Sequence, residues 1–443
     1  MAGALAISLV VLVVAWVLGG LWLRRANPAV WWRLVGVAWT WMRIYRTWQA
    51  VCLELGWTGQ RRAGRVAVGG LIVQGREMRP RLPRLWVSVR KGVISVRVRM
   101  LPGQVPKAYR QNEALAHAWR VYAVTVTSPE RGYVRMVVQP FDSLTAGVEY
   151  AEDDTPLAPA PAIGTRRMVS LLVALGIRDS GRAWVVDFRL VPHGLIVGAT
   201  LSGKSTLLRA LMSRLAELPV AIIGIDLKGG LELGLYAPRL SALATTKAGA
   251  SGVFTQVLAL LAEREALCRR AGVVAVWDLE EPPPPVFVIV DELAELFLGD
   301  RSDKELRESV TTDQQRIAQK GAFADIHLIE TGQRVGSELG PGLTLLRSQL
   351  AWRVTLRVAD RESAEMSLGD LFPEAVLMAL SIPADQQGTA VTAEDGGGWG
   401  RVRSARVSVE KARATAQRYA FLRVVLPGLE PPADVNDETQ QEA

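Results

Sequence analysis

The stretch from Gly198 to Ser205 limits what this chain can fold into more than any other feature. It reads Gly-Ala-Thr-Leu-Ser-Gly-Lys-Ser and fits the phosphate-binding pattern G-x-x-x-x-G-K-[ST] at every fixed position. An apolar run, 194–197, precedes it, and helical spacing follows from Thr206, so the pattern predicts a loop between a buried strand and a helix. The alternative, an ordinary glycine-rich turn, explains neither the spacing nor the flanking segments.

This loop predicts a site for ATP and Mg²⁺. The glycines let backbone N–H groups wrap the phosphates at a helix N-terminus, Lys204 neutralises the outer phosphates, and the Ser205 hydroxyl can bind Mg²⁺. The candidate nucleotide-binding residues are Gly198, Ala199, Thr200, Leu201, Ser202, Gly203, Lys204, Ser205 and Thr206.

Two further apolar segments predict buried parallel strands, joined to the rest by helical crossovers. The first, 221–225, ends at Asp226, and the second, 286–290, ends at Asp291 and Glu292. We expect Asp291 to hold Mg²⁺ through water and Glu292 to orient and deprotonate the attacking water. A capping pair that opens a helix at Leu293 is the alternative.

The N-terminal segment 2–23 has no charged side chain and is long enough to cross a bilayer as a helix. A cleaved signal peptide is the alternative, but a basic start and a small-x-small cleavage site are missing. The arginines that follow predict one span with the bulk of the chain in the cytoplasm. Eight of the 14 Trp lie before residue 58, as expected of side chains at headgroup level, and 28–42 is either an interfacial helix, which we favour, or a second span.

The region 61–110 holds thirteen Lys or Arg and one acid, Glu77. It must face anions, either acidic lipid or nucleic acid, and the sequence does not choose between them. A hairpin is predicted at 86–99, a helix at 111–122 and a second strand pair at 124–138, which together form a small β-β-α-β-β module. The net charge of +8 also indicates an anionic partner, whereas two cysteines and three scattered histidines predict neither a disulfide framework nor a zinc site.

Four segments together resemble the FtsK/SpoIIIE family, in particular the membrane-anchored transfer proteins of actinobacterial conjugative elements. They are the phosphate loop, Asp226-Leu227-Lys228-Gly229-Gly230, Val290-Asp291-Glu292-Leu293, and Ile326-His327-Leu328-Ile329 followed by Thr331-Gly332-Gln333-Arg334. The resemblance implies a RecA-like α/β core with a mostly parallel sheet and helices on both faces. It also implies a homo-hexameric ring that moves double-stranded DNA by ATP hydrolysis.

By the same resemblance Gln333 senses the γ-phosphate and Arg353 is a candidate arginine finger for a neighbouring subunit, with Arg347 and Arg357 as rivals. The chain departs from the family before the Ile326-His327-Leu328 strand. The family usually has Gly-Arg-Ala-Ala/Ser-Gly there, whereas this chain has Gly321-Ala322-Phe323-Ala324-Asp325. A basic residue is lost and Asp325 is introduced.

The predicted organisation is a membrane anchor (1–59), a basic α+β module (60–150), a linker (151–165), the ATPase domain (166–426) and an acidic disordered tail (427–443). We expect no winged-helix module in that tail, and therefore DNA contacts dominated by backbone charge. The predicted function is a membrane-anchored DNA translocase of conjugative transfer. The alternatives are a type VII secretion-like ATPase that moves protein and an ATP-binding membrane scaffold that does not pump.

Overall fold

The computed structural model describes two compact units, Met1–Asp142 and Ser143–Ala443. Each is treated separately below. The residues described are 22, 28–60, 66–68, 71–73, 80–90, 93–145, 147–150, 169–298, 304–333, 342–369, 373–394 and 398–432. The predicted span 2–23, apart from Trp22, and the predicted linker 151–165 lie outside these residues, as does the end of the predicted tail.

In its described residues, the first unit contains three α-helices and a four-stranded antiparallel sheet. The helices are α1 (Pro28–Trp31), α2 (Val37–Glu54) and α3 (Asn112–Trp119), with a π-helical stretch Trp32–Gly36 and a 3₁₀ turn Pro106–Tyr109. The strands are β1 (Gly59–Gln60), β2 (Val66–Val68), β3 (Leu71–Val73), β4 (Pro80–Arg81), β5 (Arg84–Arg90), β6 (Val93–Arg99), β7 (Ala123–Glu130) and β8 (Tyr133–Gln139). Strands β5, β6, β8 and β7 form the sheet in that order. Helix α3 follows β6 and precedes β7 in the sequence, so the predicted hairpin and helix are confirmed.

Helix α2 packs into the core of this sheet. Ile44 and Trp48 are buried among the inward side chains of the strands, and the Trp48 indole Nε1 donates to the Pro83 carbonyl at 2.9 Å. Trp57 is buried as well and stacks on Tyr109 with ring centroids 4.5 Å apart. The prediction that Trp48 lies at headgroup level was therefore wrong. Its ring is buried in the protein core, and its polar nitrogen has a hydrogen-bond acceptor within the protein.

The helices in the part of the chain that the structure describes include none that is both long and apolar enough to cross a bilayer. Residues 28–42, predicted as an interfacial helix with a second span as the alternative, fall within that part, where they form α1, the π-helical stretch and the start of α2.

The second unit is built on one large mixed sheet. Its strands are β9 (Val148–Glu149), β10 (Leu172–Arg178), β11 (Ala183–Asp187), β12 (Gly194–Val197), β13 (Ala221–Ile225), β14 (Ala242–Ala244), β15 (Val286–Val290), β16 (Ile326–Gly332), β17 (Trp352–Leu356), β18 (Thr389–Glu394) and β19 (Gly398–Arg406). The order is β11-β10-β19-β18-β17-β12-β16-β15-β13-β14, with β9 beside β19.

Helices cover both faces of that sheet. They are α4 (Lys204–Ala216), α5 (Lys247–Ala271), α6 (Leu293–Phe297), α7 (Lys304–Lys320), α8 (Leu343–Gln349), α9 (Arg361–Leu368), α10 (Pro373–Leu380) and α11 (Val409–Arg418), with 3₁₀ turns Leu233–Arg239, Val276–Asp278, Ala322–Ala324 and Ala420–Leu422. Two separate buried apolar clusters, one on each side of the strands, form the core.

The strands from β17 to β14 run parallel, as predicted, whereas β10, β11, β18 and β19 extend the sheet with antiparallel pairings. Strand β16 lies between β12, which leads into the phosphate loop, and β15, which is followed directly by Asp291. The carboxyl ends of three neighbouring parallel strands therefore meet at one edge, which is where open α/β sheets bind ligands.

Candidate nucleotide and hydrolysis site

The phosphate loop joins the carboxyl end of β12 to the first residue of α4. The loop turns through two residues with positive φ, Leu201 at 61° and Gly203 at 100°, and α4 begins at Lys204. The N–H groups in the first turn of a helix have no intrahelical acceptor, and the helix dipole adds partial positive charge there. This end of α4 is therefore shaped to receive phosphate oxygens.

Gly203 is also required by a close approach from the opposite side of the loop. A Cβ built on it would lie 2.1 Å from the backbone nitrogen of Gly388, so no larger residue fits. The Gly388 N–H donates to the Ser202 carbonyl at 2.9 Å. The turn before β18 thus holds the phosphate loop, a contact that no local pattern in the sequence predicts.

Lys204 lies against the two acids at the end of β15. Its Nζ is 2.7 Å from Glu292 Oε2 and donates to the Asp291 carbonyl at 3.2 Å. Burial raises the pKa of the Asp291 carboxyl, and the nearby Lys204 and Lys228 partly oppose that rise. The structure therefore brings Lys204, Asp291 and Glu292 into one charged cluster at the edge of the sheet.

Lys228 joins this cluster, a role that the sequence did not assign to it. Its Nζ is 3.5 Å from both Asp291 Oδ2 and Glu292 Oε2. Burial disfavours its charge, but the two carboxylates outweigh burial and raise the Lys228 pKa. Asp226, by contrast, is fully buried. Its carboxylate accepts hydrogen bonds from the backbone N–H groups of Lys228, Glu232 and Leu233, and so fixes the conformation of the loop that carries Lys228.

Gln333 stands at the end of β16, between the loop and the acids. Its backbone N–H donates to Glu292 Oε1 at 3.1 Å, and its side-chain Oε1 accepts the Thr200 hydroxyl at 3.2 Å. The neighbouring Thr331 hydroxyl donates to the Asp291 carbonyl. A residue in contact with both sides of the site is well placed to respond to a phosphate between them, but its role as a sensor stays a prediction.

Arg353 lies on β17 and uses its guanidinium within its own chain. It donates to the carbonyls of Leu350 at 3.0 Å and Ser367 at 2.9 Å, and also to that of Arg347. Burial lowers its pKa, and Arg347 adds to that effect. A role in a neighbouring subunit would require these contacts to break. Arg357, its rival, donates to the Thr200 carbonyl at 3.2 Å and so already touches the phosphate loop.

The donor set fits ATP with Mg²⁺. The positive φ angles of Leu201 and Gly203 bend the backbone so that the loop can surround phosphates. Lys204 can leave Glu292 and pair with an oxygen of the triphosphate, which carries more negative charge than one carboxylate. Mg²⁺ in such sites takes one or two protein oxygens together with phosphate oxygens and water. Ser205 at the start of α4 and the Asp291 carboxylate at the end of β15 supply oxygens of the kind it prefers.

A buried acid beside the site was not singled out from the sequence. Glu330 on β16 is fully buried and accepts from Gln314 Nε2 on α7 at 2.9 Å. Burial raises its pKa to about 8, from an ordinary 4.5. Glu330 Oε2 and Gln314 Oε1 each lack a hydrogen-bond partner among the described residues. A proton on Glu330 Oε2 would allow the acid to donate to the Gln314 amide oxygen.

This acid predicts a pH dependence of stability. Between about pH 5 and pH 8 the unfolded chain loses a proton that native Glu330 keeps, so the free energy of unfolding falls as pH rises, by up to about 1.4 kcal/mol per pH unit. Glu330→Gln removes the titrating group and should abolish this share of the slope in urea unfolding at pH 6, 7 and 8. Glu308→Gln, at an exposed position on α7, is the matched control. Equal slopes in the wild type and Glu330→Gln would contradict the assignment.

The departure at 321–325 has a structural explanation. Asp325 stands where the family pattern has glycine, and its φ of 53° is in the left-handed region, which Asp tolerates better than most residues. Its buried carboxylate lies 3.2 Å from an Arg189 Nη2 and 3.1 Å from the His327 Nε2. Asp325 is therefore held by the protein around it and is not an exposed charge.

Comparison with known proteins gives two matching family models. The description "Actinomycete conjugal transfer protein N-terminal domain" matches residues 14–140, and "FtsK/SpoIIIE family" matches residues 163–280 and 275–337.

Individual relatives match in both halves of the chain. Transfer protein TraSA of Streptomyces ambofaciens is 37% identical over 365 residues, which cover 79% of this chain and 84% of the relative. DNA translocase SftA of Bacillus subtilis is 33% identical over 207 residues, 43% of this chain and 21% of that protein. Among solved structures, the pCW3 conjugation coupling protein TcpA with ATPγS aligns with a TM-score of 0.55 at 19% identity, over 78% of this chain and 94% of that one. That likeness shows a shared fold.

Proposed function

The chain belongs to the FtsK/SpoIIIE family, with the actinomycete transfer-protein domain before it, and from that premise we propose a membrane-anchored, ATP-driven translocase of double-stranded DNA that acts in transfer between cells. The chain is a P-loop ATPase. The observation that carries the proposal is the joining of Lys204, Asp291, Glu292 and Gln333 at one sheet edge in a chain that matches a transfer protein over most of its length.

The charged cluster supports a specific order of events on ATP binding. In the structure Lys204 neutralises Glu292, so this carboxylate is held by a cation and by the Gln333 N–H. A bound γ-phosphate competes for Lys204 and leaves Glu292 free to orient a water and accept its proton. Ser205 and Asp291 would hold Mg²⁺, which would supply positive charge that offsets the charge of the outer phosphates. Hydrolysis is thereby coupled to occupancy of the site.

DNA as the substrate and a ring as the assembly rest on the family. The name of the Bacillus relative states DNA translocation, and the match to TraSA points to transfer. We propose a homo-hexamer whose subunits share nucleotide sites, with Arg353 or Arg357 as the arginine that reaches across. The charge-free segment 2–23 is proposed to anchor the ring to the cytoplasmic membrane, with the ATPase unit in the cytoplasm.

The experiment that tests this function is ATP hydrolysis by the purified full chain with and without linear duplex DNA. We expect a several-fold rise in turnover with DNA, because a translocase hydrolyses ATP faster when DNA is bound. Lys204→Ala should show no hydrolysis in either condition. An unchanged rate with DNA, or a rise with candidate secreted proteins instead, would contradict the DNA assignment and favour a motor that moves protein.

A further inference from the structure

The four-stranded sheet of the first unit has one side packed on α2 and α3 and one side exposed. Side chains alternate between the two sides along each strand, and the inward set on β6, β7 and β8 is buried and apolar. We call the exposed side the arginine face. Its defining residues are Arg84, Trp86, Arg90, Arg97, Arg99, Glu130, Tyr133 and Arg135.

Strand register places these residues in rows across the sheet. One row runs Trp86, Arg97, Arg135, Thr127, and the next runs Arg84, Arg99, Tyr133, Glu130. Arginines on neighbouring strands therefore lie directly opposite each other in two places, Arg97 opposite Arg135 and Arg84 opposite Arg99. Like charges in that position destabilise a sheet, so these arginines lower the stability of the fold. Their grouping is what an anionic ligand requires.

Aromatic rings lie among these charges. Trp86 is 47% exposed although it sits in the middle of β5, and its ring centroid is 6.4 Å from that of Tyr133. The guanidinium of Arg97 stacks over the Tyr133 ring at 4.2 Å and lies 2.5 Å from Glu130, the only acid on the face within the described residues. Arg97 is thereby held flat on the sheet, beside an open indole.

We propose that the arginine face binds a single-stranded segment of nucleic acid, with the arginines on phosphates and Trp86 stacked on an unpaired base. An exposed aromatic ring can stack on a base while the arginines beside it bind the phosphates of the same strand. Such stacking requires a base that is not paired in a duplex. A lipid surface is less suited, because binding to it uses apolar side chains that enter the bilayer together, whereas here Trp86 is flanked by arginines on the neighbouring strand. This surface is formed by residues of the first unit, whereas the nucleotide site is formed by residues of the second.

The test is binding of a fluorescent 20-nucleotide single strand, its duplex and anionic vesicles to the purified full chain without ATP. Trp86→Ala should weaken single-strand binding about tenfold and duplex binding less than twofold. Arg97→Gln with Arg135→Gln should weaken binding of both DNAs and reduce the salt slope for the single strand by about 1.4. The matched controls are Trp39→Ala, an exposed Trp on α2, and Arg110→Ala, an exposed Arg outside this sheet; both should bind as the wild type does.

A cross-linking experiment identifies the contact directly. A strand carrying 5-iodouracil, irradiated on the full chain, should label the peptide that contains Trp86 or Tyr133. Unchanged single-strand binding in Trp86→Ala, no label on either peptide, or a loss confined to vesicle binding would each overturn the proposal. These outcomes are independent of the proposed motor, because DNA-stimulated hydrolysis is measured separately and should persist in Trp86→Ala.

Discussion

Glu292→Gln is expected to lower the turnover number for ATP hydrolysis at least 100-fold while leaving ATP binding intact. A general base contributes about 10²- to 10⁴-fold to a reaction rate, and an amide cannot accept the proton of the attacking water. The glutamine keeps an oxygen for the Gln333 N–H, so the end of β16 should keep its position. Removing the Glu292 charge also frees Lys204 from its ion pair, so affinity for ATP should be equal to or higher than that of the wild type.

Steady-state hydrolysis and equilibrium binding of a fluorescent ATP analogue check this result. Glu295→Gln, one turn further along α6 and partly exposed, is the matched control and should hydrolyse ATP at the wild-type rate. If Glu292→Gln keeps more than a tenth of wild-type turnover, another group is the base. Loss of binding together with turnover would instead show that Glu292 supports the site structurally.

Lys204→Ala is expected to reduce affinity for ATP at least 100-fold and to abolish hydrolysis. The substitution removes a cation that stands both at the N-terminus of α4 and within reach of the acids. It also leaves the buried Glu292 carboxylate with Lys228 at 3.5 Å as its nearest cation, so nucleotide phosphates would meet uncompensated negative charge.

The comparison with Lys228→Gln separates the two lysines. Lys228 touches the same carboxylates but is 41% exposed and lies outside the phosphate loop, so we expect its loss to change ATP affinity only a few-fold. Thermal unfolding of each variant shows whether the fold is kept. Wild-type affinity in Lys204→Ala would place the nucleotide elsewhere in the chain.

The sequence predicted the parts of the site that local order determines. A glycine pattern after an apolar run specifies the strand, loop and helix from Gly194 to Ala216. Acids at strand ends reach the same edge of the sheet once the strands are parallel. Gly388 could not be predicted in this way, since its contact with Gly203 joins positions far apart in the chain. The acid–amide pair of Glu330 and Gln314 was missed for the same reason, because the contact joins residues 16 positions apart on α7 and β16.

The tryptophans near the start of the chain were misleading for a physical reason. A ring that is apolar with one polar atom suits both a membrane interface and a protein core, and composition alone favours the first after a charge-free segment. The structure puts Trp48 in the core through α2, next to the sheet. A fragment that begins at residue 60 would therefore lose Ile44 and Trp48 from that core, and a shortened protein should begin before α1.

The turn that supports the phosphate loop also affects the timing of folding during synthesis. The Gly388 carbonyl accepts the backbone N–H of Ser404 at 2.9 Å, so the turn that contacts Gly203 is itself held by the pairing of β18 with β19. Protein chains fold as they leave the ribosome, the N-terminal parts first. Gly388 follows Gly203 by 185 residues in the sequence. In a nascent chain, the contact between the two glycines can therefore form only after those residues have been translated.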